Sequence, residues 1–216
     1  MVLTKSIVFV IDDEASVRKA LGRVLQQAGY QMEAFGSAQE FLQRMPYDGP
    51  GCIILDVQMP GLNGVELQGR LVETKCFLPI IFLSGHSDIP ISVRAMKAGA
   101  VDFLTKPFKN PDLLEAVRIS LHKDAEARAM REEAQRIQQH LDTLTDREKE
   151  VLRWVVGGHL NKQIAYELGI SEATVKAHRA HVMEKMQANS LADLVRLVEK
   201  VGIVPAGVPR GTSDSD

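Results

Sequence analysis

Polar side chains that could carry out chemistry follow the apolar runs of this 216-residue sequence, each at the point where a run ends. Asp12 and Asp13 follow the first run, and Asp56 follows a later one. Ser84 and Lys106 follow two further runs in the same way. Carboxylates with room for water suit Mg²⁺ or Mn²⁺, and an ammonium group can hold a phosphate oxygen. Together these groups predict a site that accepts phosphoryl on a carboxylate beside a divalent cation.

The elements that must position these groups alternate between short apolar strands and longer amphipathic helices over about the first 120 residues. The apolar strands are unbroken, which indicates a parallel sheet covered by helices on both faces. The predicted fold is an α/β doubly wound, five-stranded parallel sheet. Ligands bind such sheets at the carboxyl ends of the strands, so we expect the acids, the hydroxyl and the ammonium at one edge.

Each of these residues has an ordinary interpretation when it is taken alone. Asp12 and Asp13 could cap a helix, Ser84 could lie in a turn, and Lys106 could be a solvated surface cation. Their common position at strand ends favours a site.

The order of these residues resembles the receiver domain of two-component response regulators, over about residues 6–121. The resemblance is carried by Asp12-Asp13, by Asp56 within LDVQMPGLNG, by Ser84 and by Lys106-Pro107-Phe108. It implies that a sensor histidine kinase phosphorylates Asp56. Such domains are substrates and switches, so we expect no enzyme in the usual sense.

The same resemblance implies roles for the other groups of the site. Asp12, Asp13, Asp56 and the backbone carbonyl of Gln58 would hold Mg²⁺ or Mn²⁺. Lys106 would contact the phosphoryl group, across a cis bond to Pro107, and Ser84 and Phe103 would form the switch pair.

A Gly- and Pro-free stretch follows Pro111 and reaches about Leu144. Apolar residues recur in it at heptad-like spacing: Ala127, Met130, Ala134, Ile137, Leu141 and Leu144. Two interpretations remain open. The stretch is one long helix lying on its own domain, or it pairs with its copy in a dimeric coiled coil.

The last third of the chain shows the pattern of a helix-turn-helix. A helix from Asn161 to Leu168, a turn at Gly169–Ser171 and a second helix after Ser171 are predicted. Its core should contain Ile164, Ala165, Leu168, Ile170, Val175, Val182 and Met186. The outward face of the second helix, with Lys176 and Arg179 among alanines, is flat enough for a major groove.

This region resembles the LuxR/NarL-type DNA-binding domain, and the whole chain resembles the FixJ-like subgroup of response regulators. The resemblance implies that Lys176 and its neighbour Ala177 enter the major groove, and that Lys162, Thr174 and His178 lie near the DNA backbone. Arg179 is our addition to this set. The resemblance also implies that the helix starting at Ser190 contributes to dimers on DNA, although Leu194 and Val198 also fit an intradomain core.

Net charge and the N-terminal sequence restrict the partners and the location that we expect. The formal net charge is −2, so DNA must be met by a local basic patch. The N-terminal apolar run is too short for a signal peptide or a membrane span, so a cytoplasmic protein without membrane contact is expected. The predicted divisions are a receiver domain (1–122), a linker helix (123–143), a helix-turn-helix domain (144–203) and a disordered tail (204–216).

The sequence thus predicts a transcription factor that dimerises when phosphorylated, binds double-stranded DNA and acts on RNA polymerase. Three alternatives remain: a phosphotransfer protein whose C-terminal domain binds protein, a DNA binder that works unphosphorylated, and a metal-dependent phosphatase. Loss of DNA binding on substitution of Lys176 would exclude the first. The complete set of acid, hydroxyl and ammonium groups argues against the second, and sustained release of phosphate from small esters would support the third.

Overall fold

The computed structural model describes residues 6–85 and 89–207, with the side chains of residues 89–91 excluded. The chain divides into two units, one up to Ala129 and one from Met130. In the first unit, strands and helices alternate: β1 (Ile7–Ile11), α1 (Ala15–Gln27), β2 (Gln31–Phe35), α2 (Ala38–Arg44), β3 (Gly51–Asp56), α3 (Gly64–Glu73), β4 (Ile80–Ser84), α4 (Ile89–Lys97), β5 (Asp102–Thr105) and α5 (Asn110–Asp142).

All neighbouring strands of the sheet run parallel, in the order β2-β1-β3-β4-β5. The fold class predicted from the sequence is confirmed. The register pairs Ile11 with Leu55, so the residues that follow them, Asp12 and Asp56, emerge side by side.

Both faces of the sheet are buried, because side chains of a strand point alternately to its two sides. One face carries Phe9, Ile53 and Phe82 in a cluster with residues of α2 and α3. The opposite face carries Val10 and Ile54 in a cluster with residues of α1 and the first turns of α5. Burial on both faces explains why the strands read as continuous apolar runs.

The helix α5 joins the first unit through polar contacts as well as apolar ones. The carboxylate of Asp124 is buried and accepts a hydrogen bond from the amide of Gly51 at 2.9 Å. The guanidinium group of Arg128 donates to the carbonyls of Asp48 and Gly49. These contacts tie residues beyond the predicted receiver boundary to the start of β3.

The second unit contains the end of α5 followed by α6 (Asp146–Val156), α7 (Asn161–Leu168), α8 (Glu172–Lys185) and α9 (Leu191–Glu199). Thr145 and Glu148 form the capping box that begins α6, with each side chain accepting a backbone hydrogen bond of the other residue. In the core, the predicted residues Ile164, Ala165, Val175, Val182 and Met186 are buried, and Leu168 and Ile170 are partly buried against them.

The apolar residues at heptad-like spacing in α5 differ in their burial. The last of them, Ile137, Leu141 and Leu144, are buried in the core of the second unit. Met130 is 70% exposed. Residues 137–144 are therefore not available as the seam of a coiled coil. The structure divides the predicted linker 123–143 between the two units at residues 129 and 130.

The helix α9 and the segment after it also pack within the second unit. Leu194 and Val198 are buried, which confirms the intradomain part of their predicted role, while Leu191 is exposed. Ala206 donates its amide to the carbonyl of Arg153 at 2.8 Å, although the predicted disordered tail starts at residue 204. The rest of that predicted tail, 208–216, lies outside the described residues.

Within the described ranges, no helix combines the length and apolar character needed to cross a membrane.

Candidate phosphoryl-acceptor site and candidate nucleic-acid interface

The carboxyl edge of the sheet gathers the acids and the ammonium group that the sequence singled out. Nζ of Lys106 lies 2.8 Å from Oδ2 of Asp12 and 2.7 Å from Oδ1 of Asp56. Both carboxylates are buried, and the lysine side chain is 20% exposed. Lys106 therefore bridges two acids that reach the edge from β1 and β3.

The charges at this edge perturb one another. Burial raises the pKa of Asp56, and the nearby charge of Asp12 raises it too; the hydrogen bond and charge of Lys106 oppose them without cancelling them. Burial lowers the pKa of Lys106, but its hydrogen bonds to Asp12 and Asp56 outweigh burial and leave that pKa raised. Asp56 is thus a desolvated carboxylate held beside a persistently charged ammonium group.

The backbone after β3 fixes the direction of Asp56. The amide of Gln58 donates to Oδ2 of Asp56 at 2.8 Å, while Oδ1 is the oxygen that Lys106 contacts. The start of α3 comes so close to the strand that a Cβ on Gly64 would lie 2.3 Å from the carbonyl oxygen of Asp56. Glycine at this position permits the chain to turn back beside Asp56.

Asp13 and Gln58, the other predicted metal ligands, are exposed at the same edge. Arg18, from the first turn of α1, donates to the carbonyls of Asp12 at 2.6 Å and of Asp13 at 2.9 Å. Arg18 was not among the predicted site residues. Its partners are carbonyl oxygens, which leave no mark in a side-chain pattern.

The proposed switch residues share one face of neighbouring strands. Phe103 pairs with Phe82 in the register, and Ser84 lies two residues beyond Phe82 on the same face. The rings of Phe103 and Phe82 are 6.2 Å apart, and Ser84 is buried. The bond from Lys106 to Pro107 is cis, as the resemblance implied.

The donor set at this edge fits a hard divalent cation. Three carboxylates carry three negative charges when ionised, whereas Lys106 and Arg18 supply two positive charges. Burial is the main cause of the raised pKa of Asp56, and the negative charge of Asp12 adds to it. Oxygen ligands with an exposed member such as Asp13 suit Mg²⁺, which retains several waters.

The second unit presents the predicted helix-turn-helix. Gly169 ends α7 in the left-handed conformation at φ 64°, and Ser171 caps α8 by accepting the amide of Thr174 at 3.1 Å. The hydroxyl of Thr174 is itself held 2.8 Å from that of Ser171. The turn therefore fixes the beginning of α8 relative to α7.

The predicted DNA-contacting residues divide into two groups. Lys162, Thr174, Lys176 and Ala177 are exposed, and neither lysine has a side-chain partner among the described residues. His178 and Arg179 are half-buried, and Arg179 donates to the side chain of Asn161 on α7 at 2.9 Å. Arg179 was predicted to face outward and contact DNA, and in the structure its guanidinium group links α8 to α7 through Asn161.

Comparison with known proteins agrees with this arrangement. Residues 8–118 match the family described as the response regulator receiver domain, and residues 142–198 match the bacterial regulatory proteins of the luxR family. The chain is 46% identical over 200 residues to nodulation protein W of Bradyrhizobium diazoefficiens, covering 93% of this chain and 88% of that protein. It is 42% identical over 204 residues to the transcriptional regulatory protein FixJ of Rhizobium meliloti, covering 94% of this chain and 100% of that protein.

Two solved structures extend the likeness. The response regulator StyR aligns with a TM-score of 0.81 and 47% identity, covering 91% of this chain and 99% of that chain. Full-length FixJ from B. japonicum aligns with a TM-score of 0.57 and 42% identity, covering 92% of this chain and 98% of that chain. The chain belongs to the response regulators that join a receiver domain to a LuxR-type DNA-binding domain and regulate transcription.

Proposed function

We propose that Asp56 accepts a phosphoryl group from the phosphohistidine of a sensor kinase. The observation that carries this proposal is the bridge from Lys106 to Asp12 and Asp56 at one buried edge. An oxygen of Asp56 attacks phosphorus, the new P–O bond forms as the P–N bond to histidine breaks, and the electron pair leaves with the histidine nitrogen. An acyl phosphate on Asp56 results.

The surrounding groups take separate parts in this transfer. The amide of Gln58 holds Oδ2 of Asp56, so the carboxylate is oriented before the donor arrives. The ammonium group of Lys106 stays within reach of the oxygens that gain charge. Asp12, Asp13, Asp56 and the backbone carbonyl of Gln58 would hold Mg²⁺ or Mn²⁺, which neutralises charge on the transferring group when bound.

We propose that Ser84 and Phe103 transmit the change. A phosphoryl group on Asp56 offers new acceptor oxygens to the Ser84 hydroxyl, and Phe103 lies on the same face of the sheet. The output we propose is a homodimer that brings two helix-turn-helix units onto double-stranded DNA and engages RNA polymerase. This activity belongs in the cytoplasm, where the DNA is.

The DNA-binding part of the proposal rests on the exposed face of α8. Lys162 and Lys176 have ammonium groups available for phosphates, and Ala177 leaves the helix surface flat. Phosphate contacts release counterions, so binding should weaken steeply with salt. Two half-sites are expected for a dimer.

The test is sedimentation velocity with Mg²⁺, with and without beryllofluoride, on wild type and Asp56→Asn. Beryllofluoride mimics the acyl phosphate, so we expect a shift from monomer to dimer in the wild type only. The same shift in both proteins, or none in either, would contradict Asp56 as the acceptor that drives dimerisation.

Two lysine variants test DNA binding on a duplex that the wild-type protein selects from random sequences. Lys176→Glu should abolish binding, whereas Lys149→Glu, an exposed lysine on α6, should leave most of it. Equal loss in both variants would indicate general electrostatics instead of an interface on α8.

A further inference from the structure

A cluster of metal-ligating side chains lies in the second unit, apart from the acidic edge of the sheet. Glu148 on α6 and His178 and His181 on α8 each offer one ligand atom, and these three atoms lie within 4.8 Å of one another. We propose that these residues bind a divalent transition-metal ion, best matched by Zn²⁺, and that the bound ion opposes DNA binding. The second half of this inference rests on the proposed function.

The distances suit a tetrahedral ion. Nδ1 of His181 lies 3.5 Å from Oε1 of Glu148. Two ligand atoms that are each about 2.1 Å from an ion at the tetrahedral angle are about 3.4 Å apart. The pair therefore already has the separation of two zinc ligands, and His178 lies one turn before His181 on the same face of α8.

The ligand types also match zinc. Two imidazoles and one carboxylate form a common zinc-binding set, with water in the fourth position. The side chain of His181 is 59% exposed, so an ion can enter and a water can complete its coordination.

Glu148 is held in place for this role by groups that engage its other oxygen. The amide of Thr145 donates to Oε2 at 2.8 Å, and Nζ of Lys185 lies 2.7 Å from the same atom. Oε1 is thereby turned toward His181. A carboxylate whose orientation is fixed loses little freedom when a metal binds.

Lys185 limits the affinity of the site, because its positive charge lies next to a metal ligand. Nζ of Lys185 also lies 3.3 Å from the carbonyl of Thr143, which offers the ammonium group an acceptor away from the ion. The site should therefore bind Zn²⁺ more weakly than a structural zinc site, and the ion should exchange.

The consequence for DNA follows from His178, which is one of the proposed contacts to the DNA backbone. A metal ion would engage one of its ring nitrogens and fix the ring toward Glu148. Zn²⁺ should therefore compete with DNA for this part of α8.

The site is tested on the full-length protein without DNA, in excess Mg²⁺ so that the acidic edge of the sheet is occupied. Zn²⁺ affinity is measured by competition with a colorimetric chelator, and Co²⁺ is used as a spectroscopic substitute. The variants are His181→Asn and, as a matched control, His122→Asn. His122 lies 3.4 Å from Glu126 in a similar pair, and no third ligand joins that pair among the described residues.

We expect wild type and His122→Asn to bind one equivalent of Zn²⁺ equally well. In His181→Asn the affinity should fall at least about tenfold, because loss of even an outer-shell partner typically has that effect. The visible Co²⁺ bands of a tetrahedral site should be lost with it. Equal Zn²⁺ affinity in His181→Asn and wild type would overturn the site.

The DNA arm uses the duplex selected by the wild-type protein. Zn²⁺ should weaken its binding by wild type and leave binding by His181→Asn unchanged. Zinc bound through His181 with no effect on DNA would overturn the competition. A protein that binds no DNA even without metal would contradict the proposed function and leave the metal site untouched.

Discussion

The ion pair between Glu148 and Lys185 makes the stability of the second unit depend on pH in a defined way. The hydrogen bond from Lys185 is the main cause that lowers the pKa of Glu148 from 4.5 to about 2, with burial opposing it. The side chain of Glu148 is 5% exposed and that of Lys185 is 35% exposed. Replacing Lys185 with Gln keeps a polar side chain of similar length and removes the charge.

The magnitude follows from the pKa of Glu148. A change from 4.5 to about 2 would correspond to about 3 kcal/mol at roughly 1.36 kcal/mol per pH unit. Solvent reaches Lys185 and screens the pair, so we expect about 1–2 kcal/mol. Because the pKa of Glu148 is lowered on folding, this stabilisation is fully present above pH 4.5 and is lost as the pH falls through about 2.

The measurement is urea unfolding followed by the fluorescence of Trp154, the single tryptophan of the chain. Its ring packs against the core of the second unit and lies 4.8 Å edge-on from that of His159, so it reports this unit. At neutral pH, Lys185→Gln should lower the free energy of unfolding by about 1–2 kcal/mol. The difference between variant and wild type should shrink below pH 4.5. Equal stability at neutral pH, or a difference that is unchanged in acid, would refute this reasoning.

Two further predictions concern the proposed acceptor site. Gly64→Ala should destabilise the first unit by about 1–3 kcal/mol and slow phosphorylation, because the new methyl group would lie 2.3 Å from the carbonyl oxygen of Asp56. Gly69→Ala is the control on the same helix, since a Cβ there would meet nothing within 4 Å. It should leave the free energy of unfolding unchanged or raise it, and leave the phosphorylation rate unchanged. Without a divalent cation, the Asp56 carboxyl should ionise at a pH above 3.8 in an NMR titration, because burial raises its pKa. In Lys106→Met the midpoint of this titration should move to a still higher pH, because Lys106 lowers the pKa of Asp56. The same midpoint in both proteins would contradict the assigned cause.

Much of the proposed acceptor site could be predicted from the sequence because a parallel sheet brings strand ends together. Asp12 and Asp56 follow residues that are directly paired in the register, so two acids at the ends of apolar runs had to meet. The bridge by Lys106 to both acids depends on side-chain geometry, which spacing along the chain does not contain. Arg18 binds carbonyl oxygens and is equally invisible to a pattern of side chains.

The apolar residues at heptad-like spacing in α5 show a different limit. Apolar residues at intervals of three and four mark a buried helical stripe but do not say what covers it. Ile137 and Leu141 are buried in the core of the second unit, so the coiled-coil interpretation fails at these residues. In the same unit, the capping box at Thr145 and Glu148 could be predicted from local sequence, whereas the link to Lys185, 37 residues away, could not.

The division of α5 between two units has a consequence for how such proteins can exchange parts. A receiver module cut at residue 122 would leave behind Asp124 and Arg128, which hold the start of β3. An output module that begins at residue 144 would lack Ile137 and Leu141 from its core. A chimera built from this chain would therefore keep the contacts of each module if it were cut inside the helix, near residues 129 and 130.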